Sequence, residues 1–167
     1  SNTERTTCPV VGGGLAGVVL GLLPARAGVA VTVLEKHADF LRDFRGDTVH
    51  PSTLDVMADL GLLEAFLARP YDEARTLRAT VAGKPFSIAD FSFLEPRHCG
   101  FIALMPQWDF LDFLRDEAAR YPNFRLLLET EGRKLIRAGG RVAGVEAAMA
   151  QGTVPIHADL GVAAGGR

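Results

Sequence analysis

The feature that most constrains this chain is a run of glycines between an apolar segment and a helical one. Residues Gly12-Gly13-Gly14-Leu15-Ala16-Gly17 spell GxGxxG. Residues 7–11 before them read as a short buried strand, and residues 15–26 after them read as a helix ending near Gly28. Residues 29–34 (VAVTVL) are β-branched and almost wholly apolar, the pattern of a parallel strand covered on both faces. Strand, helix and strand make one right-handed βαβ unit. In such a unit Gly12 permits the tight turn out of the strand, Gly14 lets backbone approach a pyrophosphate, and Gly17 lets the helix pack closely on the sheet. The helix N-terminus then offers unpaired N–H groups and positive partial charge to phosphates. A GxGxxG by itself is a weak sign. Here Glu35 ends the second strand about 20 residues further on, where an acid accepts hydrogen bonds from adenosine ribose hydroxyls. An acid at that place also argues against a 2′-phosphate, and so against NADP in this pocket.

Charge and cysteine usage narrow the rest. The formal net charge is −2, with no basic block, so no nucleic-acid partner is expected and bound phosphates must be held by backbone N–H groups. Cys8 and Cys99 lack CxxC spacing and read as two small buried hydrophobes in a reducing, cytoplasmic compartment. His37, His50, His98 and His157 form neither HxxxH nor HExxH, so no metal is expected. The uncharged stretch from Cys8 to Ala25 resembles a secretory apolar region, but its glycines and prolines, and Glu4 ahead of it, argue against a leader. No membrane span is expected either.

Further along, residues 37–50 read as a charged loop. Ser52 is placed as an N-cap with Asp55 in the capping-box position; Leu54, Met57 and Leu60 follow at helical spacing, Gly61 suits the helix end, and residues 62–68 make a second short helix. Residues 76–81 and 86–91 form a hairpin around Gly83, and residues 101–105 another strand. Pro106 and Gln107 open a helix to Arg120, with Phe110, Leu111, Leu114 and Ala118 as its buried stripe. Strands follow at 124–129, 134–138, 141–146, 153–157 and 160–163, with Gly139-Gly140 as a hairpin turn. Two prolines conflict with this scheme. Pro9 falls in a central strand, where it lacks a ladder donor, and Pro24 falls inside the first helix, at a cost of about 3 kcal/mol unless the helix kinks or ends early.

Several segments together carry a resemblance: VVGGGLAG, VTVLEK, DFRGDTVHPSTLDVMADLGLL, ALMPQWDFLDFL and the terminal ADLGVAAGGR. On these the chain resembles the N-terminal portion of the group A FAD-dependent monooxygenases, the para-hydroxybenzoate hydroxylase-like flavoproteins. The resemblance implies an α/β fold with a Rossmann-like FAD-binding sheet. Residues 1–71 and 106–167 would form the FAD-binding domain, and residues 72–105 a smaller β-rich insertion on the substrate side. It implies FAD as cofactor, NAD(P)H as transient reductant, and hydroxylation of an aromatic or polyketide-type organic substrate. The implied cofactor-binding set is Gly12, Gly14, Leu15, Ala16, Gly17, Glu35, Lys36, Arg45 and Gln107, with no catalytic residue assigned. Blander readings stand beside these: Arg45 as a surface charge, Gln107 as a helix cap, Trp108 as core, His50 and His98 as loop or packing residues.

The sequence departs from the family pattern at Leu15, where proline is common, at Pro9 and Pro24, and at Gly165, where the family carries an acid. It also stops at Arg167 and reads as truncated at the C-terminus, with sheet edges open to self-association. Two alternatives therefore stay open: a non-catalytic nucleotide-binding remnant or interaction fragment, and a Rossmann enzyme that uses NAD alone.

Overall fold

The computed structural model of the chain describes residues 4–39, 47–94 and 99–165. In chain order the strands and helices are β1 (Glu4–Arg5), β2 (Cys8–Val11), α1 (Leu15–Arg26), β3 (Val31–Leu34), β4 (Thr48–Val49), α2 (Pro51–Asp59), α3 (Leu63–Leu67), β5 (Asp72–Ala74), β6 (Thr76–Val81), β7 (Lys84–Asp90), β8 (Ile102–Leu104), α4 (Gln107–Ala119), β9 (Phe124–Leu127), β10 (Glu131–Ala138), β11 (Arg141–Met149), β12 (Gly152–His157) and β13 (Val162–Ala163). They divide into two compact units, residues 1–43 with 111–167, and residues 44–110.

The first unit is built on a parallel sheet of order β13-β2-β3-β9. The expected βαβ unit is its centre. All four residues of β3 are buried, as its unbroken apolar pattern predicts. Helix α1 lies close against the sheet because Gly21 has no side chain: a Cβ there would stand 2.6 Å from Val33 and 2.8 Å from the Phe124 ring. Val18, Leu22 and Ala25 complete the buried face, each large one contributing roughly 1.5–3 kcal/mol. A second sheet, order β1-β12-β11-β10, is antiparallel except for the β1–β12 pair. Leu34 packs into a core with Val145, Ala147 and Ile156, so the two sheets share apolar surface.

Both awkward prolines are accommodated, which corrects the expectation of conflict. Cys8 and Gly12 donate to Ala30 and Leu34, so the even positions of β2 face β3 and the odd positions face β13. Thr7 and Val11 accept from Leu160 and Ala164 on that side. The missing donor of Pro9 therefore falls beside exposed Leu160, ahead of the point where β13 begins to pair. Pro24 does lie inside α1, but the helix ends two residues later. The donor it lacks belongs to the carbonyl of Leu20, a residue 38% exposed. The end is then tied off in a Schellman pattern, Gly28 N–H to Ala25 and Val29 N–H to Pro24. The Asn123 amide reinforces it by donating to the carbonyls of Ala25 and Val29 at 2.9 and 2.6 Å.

The second unit holds a three-stranded antiparallel sheet, order β4-β8-β5, and the separate hairpin β6–β7. Leu54, Met57, Leu62 and Phe66 are buried within it. The Phe66 ring meets Phe110 edge-on at 5.5 Å, and Tyr71 stacks on Phe101 at 6.0 Å. The Ser52 cap is not observed: α2 starts two residues earlier, with His50 as N-cap and Pro51 at the first helical position. Proline is favoured there because its φ suits the helix and its absent N–H has no partner to lose. The expected loop 37–50 contains a strand, β4, which pairs with β8 through Thr48↔Leu104 and Val49↔Ala103. Three further features are absent from the sequence-based scheme: β1, β5, which pairs with β8, and the Ala150-Gln151 turn that joins β11 to β12.

Candidate functional site

The glycine turn follows β2, and each glycine in it has a different reason to be glycine. Gly12 has φ +109°, and a Cβ on it would stand 2.6 Å from the Ala164 carbonyl oxygen. A Cβ on Gly17 would overlap the Gly12 carbonyl oxygen, so the first turn of α1 can fold back onto the strand end only without a side chain there. A Cβ on Gly13 would stand 2.7 Å from the Cβ of Glu35. Gly14 differs: its φ is −67°, and no protein atom comes within 4 Å of where its Cβ would be. Nothing inside the protein requires glycine at that position.

Gly14 is also the N-cap of α1, and it lines an open groove. The Val18 N–H donates to the Gly14 carbonyl at 2.9 Å. The N–H groups of Leu15, Ala16 and Gly17 thus precede the first intrahelical bond. The first turn carries no acidic side chain to compensate the positive end of the helix.

The groove has a volume of about 310 Å³ and is lined by Val11, Gly12, Gly14 and residues 34–37, with residues 130–132, Ala164 and Gly165 completing it. Glu35 is 8% exposed. Its Oε2 accepts from the Gly13 N–H at 2.9 Å and its Oε1 from the His37 N–H at 3.0 Å. The opposite wall is fastened to the same strand end, since Thr130 N–H donates to the Glu35 carbonyl and Glu129 N–H to the His37 carbonyl. Glu129 takes φ +50° to make this turn. Its neighbour Thr130 is buried and donates through its hydroxyl to the Leu128 carbonyl at 2.8 Å. Beyond it, Arg133 donates to Glu131 at 2.8 Å and, with Lys36, holds that carboxyl below its ordinary range. The buried Cys8 thiol, at the start of β2, is pushed up by desolvation; it stays protonated at neutral pH and is no nucleophile.

The structure thus gathers Gly12, Gly14, Glu35 and Lys36 around one groove, with Leu15, Ala16 and Gly17 forming the helix turn beside it. Gln107 is the first residue of α4, half-buried, in the second unit. Arg45 lies outside the described residues. The GxGxxG pattern assigns no role to Gly13, and residues 130–132 carry no motif that would mark them as part of the groove. Gly165, singled out as a departure, lines the groove with Ala164. The groove suits a dinucleotide: a helix end for phosphates, an oriented carboxylate for a diol, and a backbone face at Gly14 that a side chain would fill.

A family model described as FAD binding domain matches residues 5–167. Among curated proteins, 6-methylpretetramide 4-monooxygenase of Streptomyces rimosus is 32% identical over 164 residues, covering 98% of this chain and 39% of that protein. Rifampicin monooxygenase of Streptomyces venezuelae is 43% identical over 65 residues, which are 39% of this chain and 14% of that protein. The fold is that of p-nitrophenol 4-monooxygenase from Pseudomonas putida, with TM-score 0.85, 22% identity, and coverage of 98% of this chain and 42% of that one. It is equally that of anhydrotetracycline hydroxylase from Streptomyces rimosus, with TM-score 0.80, 23% identity, and coverage of 98% and 32%. This chain spans less than half the length of each. A family model that matches from Arg5 to the last residue, a relative aligned over nearly the whole chain, and a glycine turn set beside a buried glutamate lead to one assignment: the chain belongs to the FAD-binding domain family and corresponds to the N-terminal portion of its FAD-dependent monooxygenases.

Proposed function

We propose that the groove of the first unit holds the adenosine diphosphate half of FAD. In this reading the chain serves, as an N-terminal portion, an NAD(P)H-dependent hydroxylase of an aromatic or polyketide-type substrate. The observation that carries the proposal is Gly14: it is a glycine with ordinary φ and open space around it, at the mouth of a helix end whose own first turn carries no acidic residue. A pyrophosphate lying against that backbone explains its identity. Gly12 and Gly17 shape the turn, the N–H groups of Leu15 and Ala16 face the phosphates, Glu35 accepts from the ribose hydroxyls, and exposed Lys36 adds positive charge at the rim. Bound FAD would supply the redox and oxygen chemistry, while the protein supplies position and electrostatics.

Arg45 and Gln107 are proposed as further contacts on the flavin side, with residues 72–105 as the β-rich part that faces substrate and residues 1–71 and 106–167 as the FAD-binding part. The polyketide class is suggested by the 6-methylpretetramide and rifampicin enzymes that this chain resembles. A reducing, cytoplasmic setting suits the two buried free thiols. Among the described residues no helix is long and apolar enough to cross a membrane.

The test is a visible absorption spectrum of the purified chain before and after addition of FAD and desalting. A retained flavin band that disappears in Gly14→Val and in Glu35→Ala supports the reading. A folded protein that stays colourless at every FAD concentration defeats it and leaves a nucleotide-binding remnant as the better description.

A further inference from the structure

The carboxylate of Glu35 is engaged with the protein's own backbone. Its oxygens are divided between two N–H donors, Gly13 at 2.9 Å on Oε2 and His37 at 3.0 Å on Oε1. The residue is buried. A hydrogen bond to an ionised acceptor is roughly twice as strong as one between neutral groups, and burial strengthens it further. The carboxylate is also held on a rigid mount, because the Glu35 N–H donates to the Leu127 carbonyl and the Glu35 carbonyl accepts from Thr130.

The donor that matters is Gly13. It sits between Gly12, which turns the chain out of β2, and Gly14, which caps α1. Its approach to Glu35 is close enough that a Cβ would stand 2.7 Å from Glu35 Cβ and 3.1 Å from Oε2. Fixing the Gly13 N–H therefore fixes the peptide groups on either side of it, and with them the direction of the first N–H groups of α1.

We infer that Glu35 is a positioning residue for the glycine turn. Its carboxylate holds the Gly13 N–H, and through it the phosphate-facing turn, in the receiving geometry before a nucleotide arrives. The inference rests on the groove being the FAD site and deepens that reading: the acid at the ribose end acts on the pyrophosphate end through the backbone. It also gives Gly13, which the GxGxxG spacing leaves unspecified, a defined task.

Two ligands separate this role from a direct ribose contact: ADP, and ADP lacking both ribose hydroxyls. Each is titrated into the full chain and into Glu35→Gln, which keeps the side-chain volume but offers only one acceptor oxygen. Amide hydrogen exchange at Gly13 is read on both proteins without ligand. The positioning role predicts that Glu35→Gln weakens the analogue lacking both hydroxyls about tenfold or more, and ADP at least as much because its ribose contact is lost too, and that the Gly13 N–H loses protection in the ligand-free variant. Weakening of ADP alone, with the dideoxy analogue unaffected, overturns the inference and leaves a ribose contact only; no weakening of either overturns it as well. If the unaltered chain binds neither ADP nor FAD, the FAD reading falls. Gly13 exchange then still decides whether Glu35 holds the turn: retained protection in Glu35→Gln rejects that role, and lost protection supports it.

Discussion

At the scale of single residues, the four glycines of the turn divide into those the protein needs and the one it does not. Gly12 and Gly17 are required internally, by positive φ and by backbone contact. Gly12→Ala and Gly17→Ala are therefore expected to destabilise the ligand-free protein by about 2 kcal/mol or more, read as a fall in Tm. Gly14→Asp should behave in the opposite way. Aspartate is a favoured N-cap, and its charge suits the helix end, so Tm should hold or rise by the equivalent of about 0.5–1 kcal/mol. The same carboxylate would stand where the pyrophosphate is proposed to lie, so FAD retention should be lost. A Gly14→Asp protein that keeps its flavin would refute the placement of the phosphates. Cys8 adds a pH dependence. Its folded pKa lies above the ordinary 9.0 because burial penalises the thiolate. The stability associated with keeping it protonated is present below pH 9.0 and is lost as pH rises through the folded value. Cys8→Ala should flatten the alkaline fall of Tm relative to the parent, and the parent thiol should react with thiol reagents only slowly in the folded state.

At the scale of elements, α1 shows how context decides what a proline costs. Pro24 removes the donor to Leu20, but it does so two residues before the helix ends and on an exposed side. The Schellman bonds at Gly28 and Val29 and the Asn123 amide then gather the remaining carbonyls. Pro24→Ala should restore one helix bond and raise Tm by the equivalent of about 1 kcal/mol, part of the usual helix-interior penalty being offset by greater freedom of the unfolded chain. Asn123→Ala should lower Tm, since the part-buried carbonyl of Val29 loses the amide donor and that of Ala25 keeps only the Gly28 N–H; the expected cost is about 1–2 kcal/mol. In the second unit α2 ends in the same way as α1, with Gly61 N–H on Ala58 and Leu62 N–H on Met57.

At the scale of the whole molecule, the exposed apolar residues are concentrated on the β6–β7 hairpin and just after it. Leu77, Val81, Phe86, Ile88, Phe93 and Leu94 are each 41–85% exposed. On β6 and β7, Leu77, Ala79, Val81, Phe86 and Ala89 share one face by register, opposite a polar face of Thr76, Arg78, Thr80 and Ser87. A two-stranded ribbon with one apolar face is marginal alone in water, and apolar surface of this kind favours association. The chain by itself is expected to self-associate with rising concentration. Phe86→Ser combined with Ile88→Ser should reduce that association in light scattering while leaving FAD retention unchanged. A monodisperse parent chain at high concentration would contradict the expectation.

The nucleotide half of the fold was legible because its signals are local. An apolar run, a glycine turn and a buried β-branched strand lie within 35 residues, and each obeys steric rules that no distant partner can change. Hairpin turns such as Gly139-Gly140 are equally local, both residues having positive φ. What depended on distant pairing was not legible. The two residues of β1 carry no strand signal of their own and become a strand because β12 runs alongside. β4 does so because β8 does. Pro9 looked misplaced because its neighbour on the missing-donor side could not be known. Glu35 was recognisable as an acid at the end of a strand, but its bond to Gly13 joins residues 22 apart in the chain and exists only once β3 lies beside β2. The sequence alone determined the glycine turn, the helix and the acid. Tertiary structure decided that the acid and the turn meet, because backbone donors find their acceptors only after the strands that carry them have paired.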